Sequence, residues 1–167
     1  MNKEVISKTV ISESVGGAPL GYARRFQDLE VYKKARTLSR QAFVVSKDFP
    51  PEEKFSLTDQ LRRASRSVGA QIAESWAKRR YEKHFVSKLT DADGEQIETQ
   101  HWLTGAYDCG YLTREQTQHL GELCLEIGRM LDDMMQKSDQ FCQPEAHLHE
   151  DSPEYNAKPA ATYLTDY

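Results

Sequence analysis

The chain has 167 residues, of which 29% are charged and 38% hydrophobic, and its net charge is −4. A chain of this length can build one core that folds without disulfides or a structural metal, so the small disulfide-stabilised classes are excluded. Three cysteines without a close pair are typical of reduced thiols, and no apolar run is long enough for a secretory signal or a membrane span, so we expect a single cytoplasmic domain.

The first 25 residues and the first helix have different compositions. Residues 1–25 mix Ser, Thr, Gly and charged residues, which cannot bury enough apolar surface to fold, and we expect a flexible N-terminal arm. Apolar residues then recur at spacings of three and four, which predicts a helix that Asp28 caps and that Pro50 and Pro51 end. The apolar stripe of this helix consists of Val31, Ala35, Leu38, Ala42, Val45 and Phe49.

A second helix is predicted to open at Ser56. The acidic residues Glu52, Glu53 and Asp59 suit the N-terminal region of a helix, because they complement its dipole. Its stripe of apolar and small residues consists of Leu57, Leu61, Ala64, Val68, Ile72 and Ser75.

Two further helices follow, with a break at Gly110 between them. The third is predicted over residues 83–107, and Thr113 is predicted to cap the fourth. The third stripe contains Phe85, Leu89, Ala92, Gln96, Thr99 and Leu103. The fourth contains Leu120, Leu123, Ile127, Met130 and Met134, with Cys124 and Leu131 beside it.

The last 25 residues, 143–167, contain three prolines, five acidic residues and one lysine, which predicts an acidic flexible tail. No segment alternates with a period of two over the length of a strand. The sequence thus predicts an all-α domain over residues 26–142, an antiparallel up-down four-helix bundle whose helices have similar lengths and short links.

The second helix carries another face beside its core stripe. At about 100° per residue, this face combines small residues with a tryptophan and arginines, a composition typical of interface cores. It contains Arg62, Arg66, Gly69, Ala73, Trp76 and Arg80. We expect it to mediate oligomerisation, and the alternative is that Trp76 only covers the end of the helix within its own subunit.

Charge is distributed unevenly along the chain. Residues 26–88 contain 14 Lys and Arg against 8 Asp and Glu, a net charge of +6, whereas residues 89–142 contain 3 against 11, a net charge of −8. Pairs within the helix are possible between Asp59 and Arg62 or Arg63, and between Glu74 and Lys78, but the other cations remain in surplus. The surplus suits either phosphates or the acidic helices of a neighbouring subunit. The candidate nucleic-acid-binding residues are Arg62, Arg63, Arg66, Lys78, Arg79, Arg80 and Lys83.

Four segments in this order resemble a known family. "FQDLEVYKKA", "FPPEEKFSLTDQLRRASRSVGAQIAES", "ADGE" and "GYL" are similar to the four-helix-bundle proteins encoded in 23S ribosomal RNA intervening sequences. The resemblance implies a bundle that assembles as a ring, often a homopentamer, without established enzymatic activity. A related branch comprises the accessory proteins of diversity-generating retroelements, whose rings bind a reverse transcriptase and nucleic acid through basic surfaces.

The resemblance includes Arg63 and Glu74, which eleven residues of helix separate by roughly 16 Å, so an ion pair between them would have to join two molecules. With Gly69, Ala73 and Trp76, Glu74 completes the candidate oligomer interface. The implied function is nucleic-acid binding as an accessory to a reverse transcriptase or ribosomal RNA. A protein-interaction scaffold with no affinity for nucleic acid is the alternative, which the net negative charge and the acidic tail favour.

Enzymatic chemistry has little support in the sequence. Glu98 and His101 have the spacing of a di-iron bundle motif, but such a centre needs a second pair and two further carboxylates, and no second Glu-x-x-His is present. No phosphate-binding loop, nucleophile elbow or zinc-protease motif occurs. We expect a protein that is not an enzyme and that needs no metal or cofactor.

Overall fold

A computed structural model describes residues 23–142. The predicted C-terminal tail and most of the predicted N-terminal arm lie outside the described residues. Within them, all regular structure is helical and no strand is found. The α-helices are α1 (Glu30–Val45), α2 (Leu57–Lys78), α3 (Glu82–Asp108), α4 (Arg114–Gln136) and the short α5 (Ser138–Phe141). Three 3-10 turns span Phe26–Asp28, Ser46–Asp48 and Pro51–Phe55.

The predicted cap of the first helix is wrong. The residue that precedes α1 is Leu29, and no side chain caps the helix. The Asp28 carboxylate instead accepts hydrogen bonds from the backbone N–H groups of Arg24 (3.0 Å) and Arg25 (2.9 Å). These preceding donors are close because Asp28 ends a 3-10 turn, so its carboxylate stabilises that turn rather than α1.

The first helix is also shorter than its apolar stripe. Helix α1 ends at Val45, and the chain turns through a 3-10 segment to an extended Phe49, which is nevertheless buried and lies 5.6 Å from the Tyr111 ring. The residue before a proline avoids helical backbone angles, so Pro50 forces Phe49 out of the helix. The apolar spacing in the sequence extends past the end of α1 because the residues before and after the turn contact the same core.

Helices α2 and α3 agree with their predictions to within one residue at most ends, and every residue of their predicted stripes is buried. In α4 the register of the stripe is corrected. Cys124 and Leu131 are fully buried, whereas Leu123 and Met130 are only partly so. The reason is angular, because a stripe through 120, 124, 127 and 131 stays on one narrow face while 123 and 130 lie to one side of it.

The ends of α3 and α4 form as predicted. Gly110 has a positive φ of 74°, which allows the N–H groups of Gly110 and Tyr111 to donate to the carbonyls of Tyr107 and Ala106 (both 2.9 Å). This is a Schellman ending, in which glycine adopts the left-handed conformation at no steric cost. Thr113 then caps α4 by accepting from the backbone N–H of Gln116, whose side chain accepts from the Thr113 N–H in return.

Each long helix packs against two others: α2 lies between α1 and α3, and α4 contacts α3 and α1. Leu57, at the beginning of α2, lies against Gly105, near the end of α3. The other end of α2 contacts the first half of α3 through Glu74 and Lys88, whose charged groups are 3.2 Å apart. The four long helices thus surround a common core.

Candidate nucleic-acid and subunit interface

The predicted second face of α2 opens onto a surface groove beside α1. Gly69 faces α1 of its own chain, where a Cβ atom would lie 3.7 Å from Tyr32 Cε2 and 3.9 Å from Ala35 Cβ. Ala73 lines the same groove, whose cavity volume is about 350 Å³. Both residues therefore leave a shallow, small-residue surface between the two helices, and their predicted role in a subunit interface stays a prediction.

Trp76 has partners within its own chain. The indole is partly buried and packs against the hydrophobic core, and the Arg79 guanidinium lies 4.3 Å from its ring centroid. Arg79 also donates a 2.7 Å hydrogen bond from Nη1 to the Trp76 carbonyl. Trp76 thus covers the end of α2, as the intramolecular alternative expected, and Arg79 is held over it.

Glu74 joins α2 to α3. The predicted pair with Lys78 forms at 2.7 Å, and Lys88 of α3 contributes a second ion pair at 3.2 Å. Lys88 also contacts Asp91 at 3.0 Å. Hydrogen bonds first from Lys78 and then from Lys88 lower the pKa of Glu74, while Asp91 and Glu74 raise the pKa of Lys88. Lys78 and Glu74, which the sequence assigned to two different surfaces, therefore neutralise each other.

Arg62 is fixed to the end of α1. Its Nε donates to Ser46 Oγ at 2.7 Å and its Nη2 to the Ser46 carbonyl at 3.1 Å. The predicted ion pairs of Asp59 are absent from residues 23–142, since neither Arg62 nor Arg63 has a carboxylate within 4.0 Å there. Ser46 lies at the C-terminal end of α1, where carbonyl groups run out of intrahelical partners and can accept from a side chain such as Arg62.

Arg63 faces α3, where its charge acts on Glu95. Burial is the main cause that raises the pKa of Glu95, and the neighbouring Glu98 adds to the rise, while Arg63 partly opposes it. Arg63 is exposed, as are Arg66, Arg80 and Lys83. In the described part of the chain, none of these four cations has an ion-pairing carboxylate.

Sequence reasoning missed the aromatic centre of this surface. The exposed ring of Phe43 has Arg62 Cζ at 4.8 Å, Lys47 Nζ at 5.0 Å and Arg66 Cζ at 5.9 Å from its centroid. We call these four residues the Phe43 cluster. The signal that could have found part of it is the Phe43 and Lys47 pair at i and i+4, which places a cation beside an aromatic ring on one face of α1.

Six of the seven predicted basic residues form two groups rather than one surface, and the seventh, Arg63, faces α3. Arg62 and Arg66 belong to the Phe43 cluster, while Lys78, Arg79, Arg80 and Lys83 surround the α2–α3 turn. Arg66 and Arg80 are fourteen residues apart, twelve of them along α2, a distance of roughly 20 Å. An extended polyanion could reach both groups, whereas a small anion would contact only one.

These features define an all-α helical-bundle protein with an uneven charge distribution. The chain belongs to the 23S rRNA-intervening sequence protein family, whose family model matches residues 27–133. It is similar in structure to a protein of unknown function from the S23 ribosomal protein family of Bacteroides thetaiotaomicron, with a TM-score of 0.58 and 28% sequence identity. The similarity covers 63% of this chain and 97% of the other. No curated protein matches the chain.

Neither the family nor the structural relative indicates an enzymatic class. Among residues 23–142, no group of three or more His, Cys, Asp or Glu could hold a metal ion. Glu98, half of the di-iron-like pair, accepts a 2.9 Å hydrogen bond from Trp102 Nε1, and His101 is exposed. None of the helices described here is both long and apolar enough to cross a membrane.

Proposed function

We propose that this protein is a non-enzymatic, ring-forming bundle that binds nucleic acid through the basic surface of α2. The observation that carries the proposal is that the exposed cations of α2, of the turn after it and of the start of α3 have no ion-pairing carboxylate within residues 23–142; they are Arg63, Arg66, Arg80 and Lys83. Nucleic-acid phosphates supply the missing negative charge, and the released counterions favour association. This binding makes the protein an accessory factor that acts beside a reverse transcriptase or ribosomal RNA.

The proposal includes an antiparallel up-down arrangement of the four long helices. Three contacts between helices support it. Leu57 at the start of α2 contacts Gly105 near the end of α3, and Gln96 in the middle of α3 contacts Gly128 of α4. Thr90 near the start of α3 contacts Met135 at the end of α4. Such an arrangement places the basic α1 and α2 on one side of the molecule and the acidic α3 and α4 on the other.

The division of charge supports the ring of five subunits that the family resemblance implies. A basic side on one subunit complements the acidic side of the next, and a head-to-tail contact of this kind forms a ring when the rotation between neighbouring subunits closes. Gly69, Ala73, Glu74 and Trp76 border the α2 side of that contact. Because Glu74 and Trp76 already have partners within the chain, Gly69 and Ala73 provide the space for a neighbour.

Mass photometry tests the ring. Ala73→Arg, which adds a long charged side chain to the groove, should convert the wild-type oligomer to smaller species. Gln140→Arg adds the same charge at an exposed position of α5 and should leave the oligomer intact. A wild-type protein that stays monomeric at micromolar concentration, or an oligomer that both variants leave unchanged, would contradict the proposed contact.

Nucleic-acid binding is tested by fluorescence anisotropy across a salt series. The triple variant Arg63→Gln, Arg66→Gln and Arg80→Gln should weaken binding and reduce the slope of log K against log salt by about 2 to 3. The matched control replaces the three cations of the acidic half, Arg114, Arg129 and Lys137, with Gln, which changes the net charge equally. Equal losses in both triples would show that total charge, and not the α2 surface, determines binding.

A protein-interaction scaffold is the second candidate function. The net charge of −4 and the acidic composition of residues 143–167 favour it, because both oppose general attraction to phosphates. A scaffold forms the same oligomer but shows no nucleic-acid affinity at low salt, where electrostatic binding is strongest. The wild-type anisotropy curve therefore separates the two functions.

A further inference from the structure

Two phenylalanines are exposed at the corner where α1 ends and α2 begins. Phe43 lies in the last turns of α1 and is 38% exposed, and Phe55 precedes α2 and is 84% exposed. Each has a lysine ammonium beside its ring, at 5.0 Å for Lys47 and 5.1 Å for Lys54. A phenylalanine left exposed loses roughly 2 kcal/mol of the stabilisation that its burial would give. Unlike tyrosine, phenylalanine has no hydroxyl group that could hydrogen-bond to water in return. The repeated arrangement of ring and cation therefore calls for a ligand that contacts both.

The arginines of the Phe43 cluster are already positioned beside the ring before any ligand binds. The two hydrogen bonds to Ser46 use two of the five guanidinium N–H donors of Arg62 and hold its position, while Ser46 itself is only 2% exposed. Arg66 lies 5.9 Å from the Phe43 centroid, at the outer limit of a cation–π contact, so it can turn to an incoming anion at small cost. No carboxylate of the described residues pairs with Arg62, Arg66 or Lys47.

The combination of exposed rings and unneutralised cations discriminates among polyanions. A nucleic-acid duplex presents phosphates but keeps its base faces stacked inside, so it would use the cations and leave both phenylalanines exposed. A single strand presents unstacked base faces and phosphates along one chain, and proteins bind such strands by aromatic stacking beside a basic groove. The corner between α1 and α2 has both components.

We propose that the corner between α1 and α2 is a binding site for single-stranded nucleic acid. Bases stack on Phe43 and Phe55, and phosphates contact Arg62, Arg66 and Lys47. This inference rests on the proposed function and narrows it, because it names the form of the nucleic acid and adds aromatic residues that a charge-based site lacks.

The test compares a labelled single strand of about 12 nucleotides, as DNA and as RNA, with a duplex of the same sequence. Phe55→Ala should weaken single-strand binding about tenfold by removing one stacking contact, while the salt dependence and the duplex affinity stay unchanged. Leu125→Ala is the matched control, because it truncates another exposed apolar side chain (53% exposed), on α4, and should change nothing. Arg66→Gln should instead reduce the salt slope by about one unit.

Phe43→Leu keeps an apolar side chain at the corner but removes the aromatic face, so it should weaken single-strand binding with an unchanged melting temperature. Phe55→Trp should retain binding, and its added fluorescence should be quenched by the single strand but not by the duplex. Equal affinity for single strand and duplex, or Phe variants that bind like the wild type while Arg66→Gln weakens binding, would overturn this inference and leave the proposed function standing. Absence of wild-type binding to either form would overturn both.

Discussion

Replacing Gly128 by alanine tests how closely α4 approaches the polar side chains of α3 at this position. Alanine exceeds glycine in helix propensity by about 1 kcal/mol, so a free helical glycine should gain stability on replacement. At Gly128 the new Cβ would lie 3.0 Å from Gln96 Nε2 and 3.4 Å from Asp93 Oδ1. Gln96 is 4% exposed and is held at both ends, since Nε2 donates to Asp93 (2.9 Å) and Oε1 accepts from Gln100 (2.7 Å).

The expected free energy change follows from these contacts. Moving Gln96 weakens one of its two hydrogen bonds, and a buried polar group left unsatisfied costs about 2 kcal/mol, which exceeds the propensity gain. Gly128→Ala should therefore lower the free energy of unfolding by about 1 kcal/mol. Gly121→Ala, in the same helix but with nothing within 4 Å of the new methyl, should raise it by about 1 kcal/mol.

Urea denaturation of the two variants measures this difference of about 2 kcal/mol. A double-mutant cycle identifies its cause: in a Gln96→Ala background the methyl group added at position 128 meets no amide, so Gly128→Ala should become stabilising. The reasoning is refuted if Gly128→Ala stabilises the wild type as much as Gly121→Ala does. Such a result would mean that α3 and α4 are farther apart than the structure places them, or that Gln96 moves without cost.

Three further expectations concern single sites. Thr113→Val removes the cap of α4 and should lower the free energy of unfolding in urea by about 1 kcal/mol, whereas Thr113→Ser should retain stability. Glu74→Gln should destabilise the protein at pH 7, because folding lowers the pKa of Glu74. The stability difference between wild type and variant should be fully present above the unfolded pKa near 4.5 and should vanish as pH falls through the lower folded pKa. A pH series of melting curves measures this difference. Burial raises the pKa of Cys124 to about 12, so a thiol reagent at pH 8 should modify the exposed Cys109 in the native protein but Cys124 only after unfolding, and equal rates would contradict this.

The helices were predictable because their stripes are local and strongly periodic. The stripes of α2 and α3 were predicted residue by residue, and Gly110 and Thr113 marked the end of α3 and the start of α4 because both use interactions within one or two turns. The cap at Asp28 was predicted wrongly for a related reason. An aspartate near a helix start can serve either the helix or the turn before it, and the choice depends on backbone geometry that the composition does not reveal.

The candidate site was less predictable because its contacts are not local. Arg62 and Ser46 are 16 residues apart, and the Phe43 ring meets two arginines of another helix, so neither contact follows from the period of one helix. The exposed Phe55 carried no periodic signal at all. Charge could be counted from the sequence, but its partners could not be assigned.

Whether a cation has a partner within the chain decides whether its replacement can test nucleic-acid binding. Lys78 is paired with Glu74, Arg79 lies on Trp76 and Arg62 donates to Ser46, so replacing any of these three removes a contact within the chain together with a charge. Of the other four predicted cations, all exposed, Arg63, Arg80 and Lys83 have no such contact, and Arg66 lies at the outer limit of a cation–π contact with Phe43. Surface substitutions of this kind usually change stability by less than about 0.5 kcal/mol, so a loss of binding in these variants reports on the ligand rather than on the fold. A binding loss seen only with Arg62, Lys78 or Arg79 would therefore indicate that the protein holds its basic residues for its own structure.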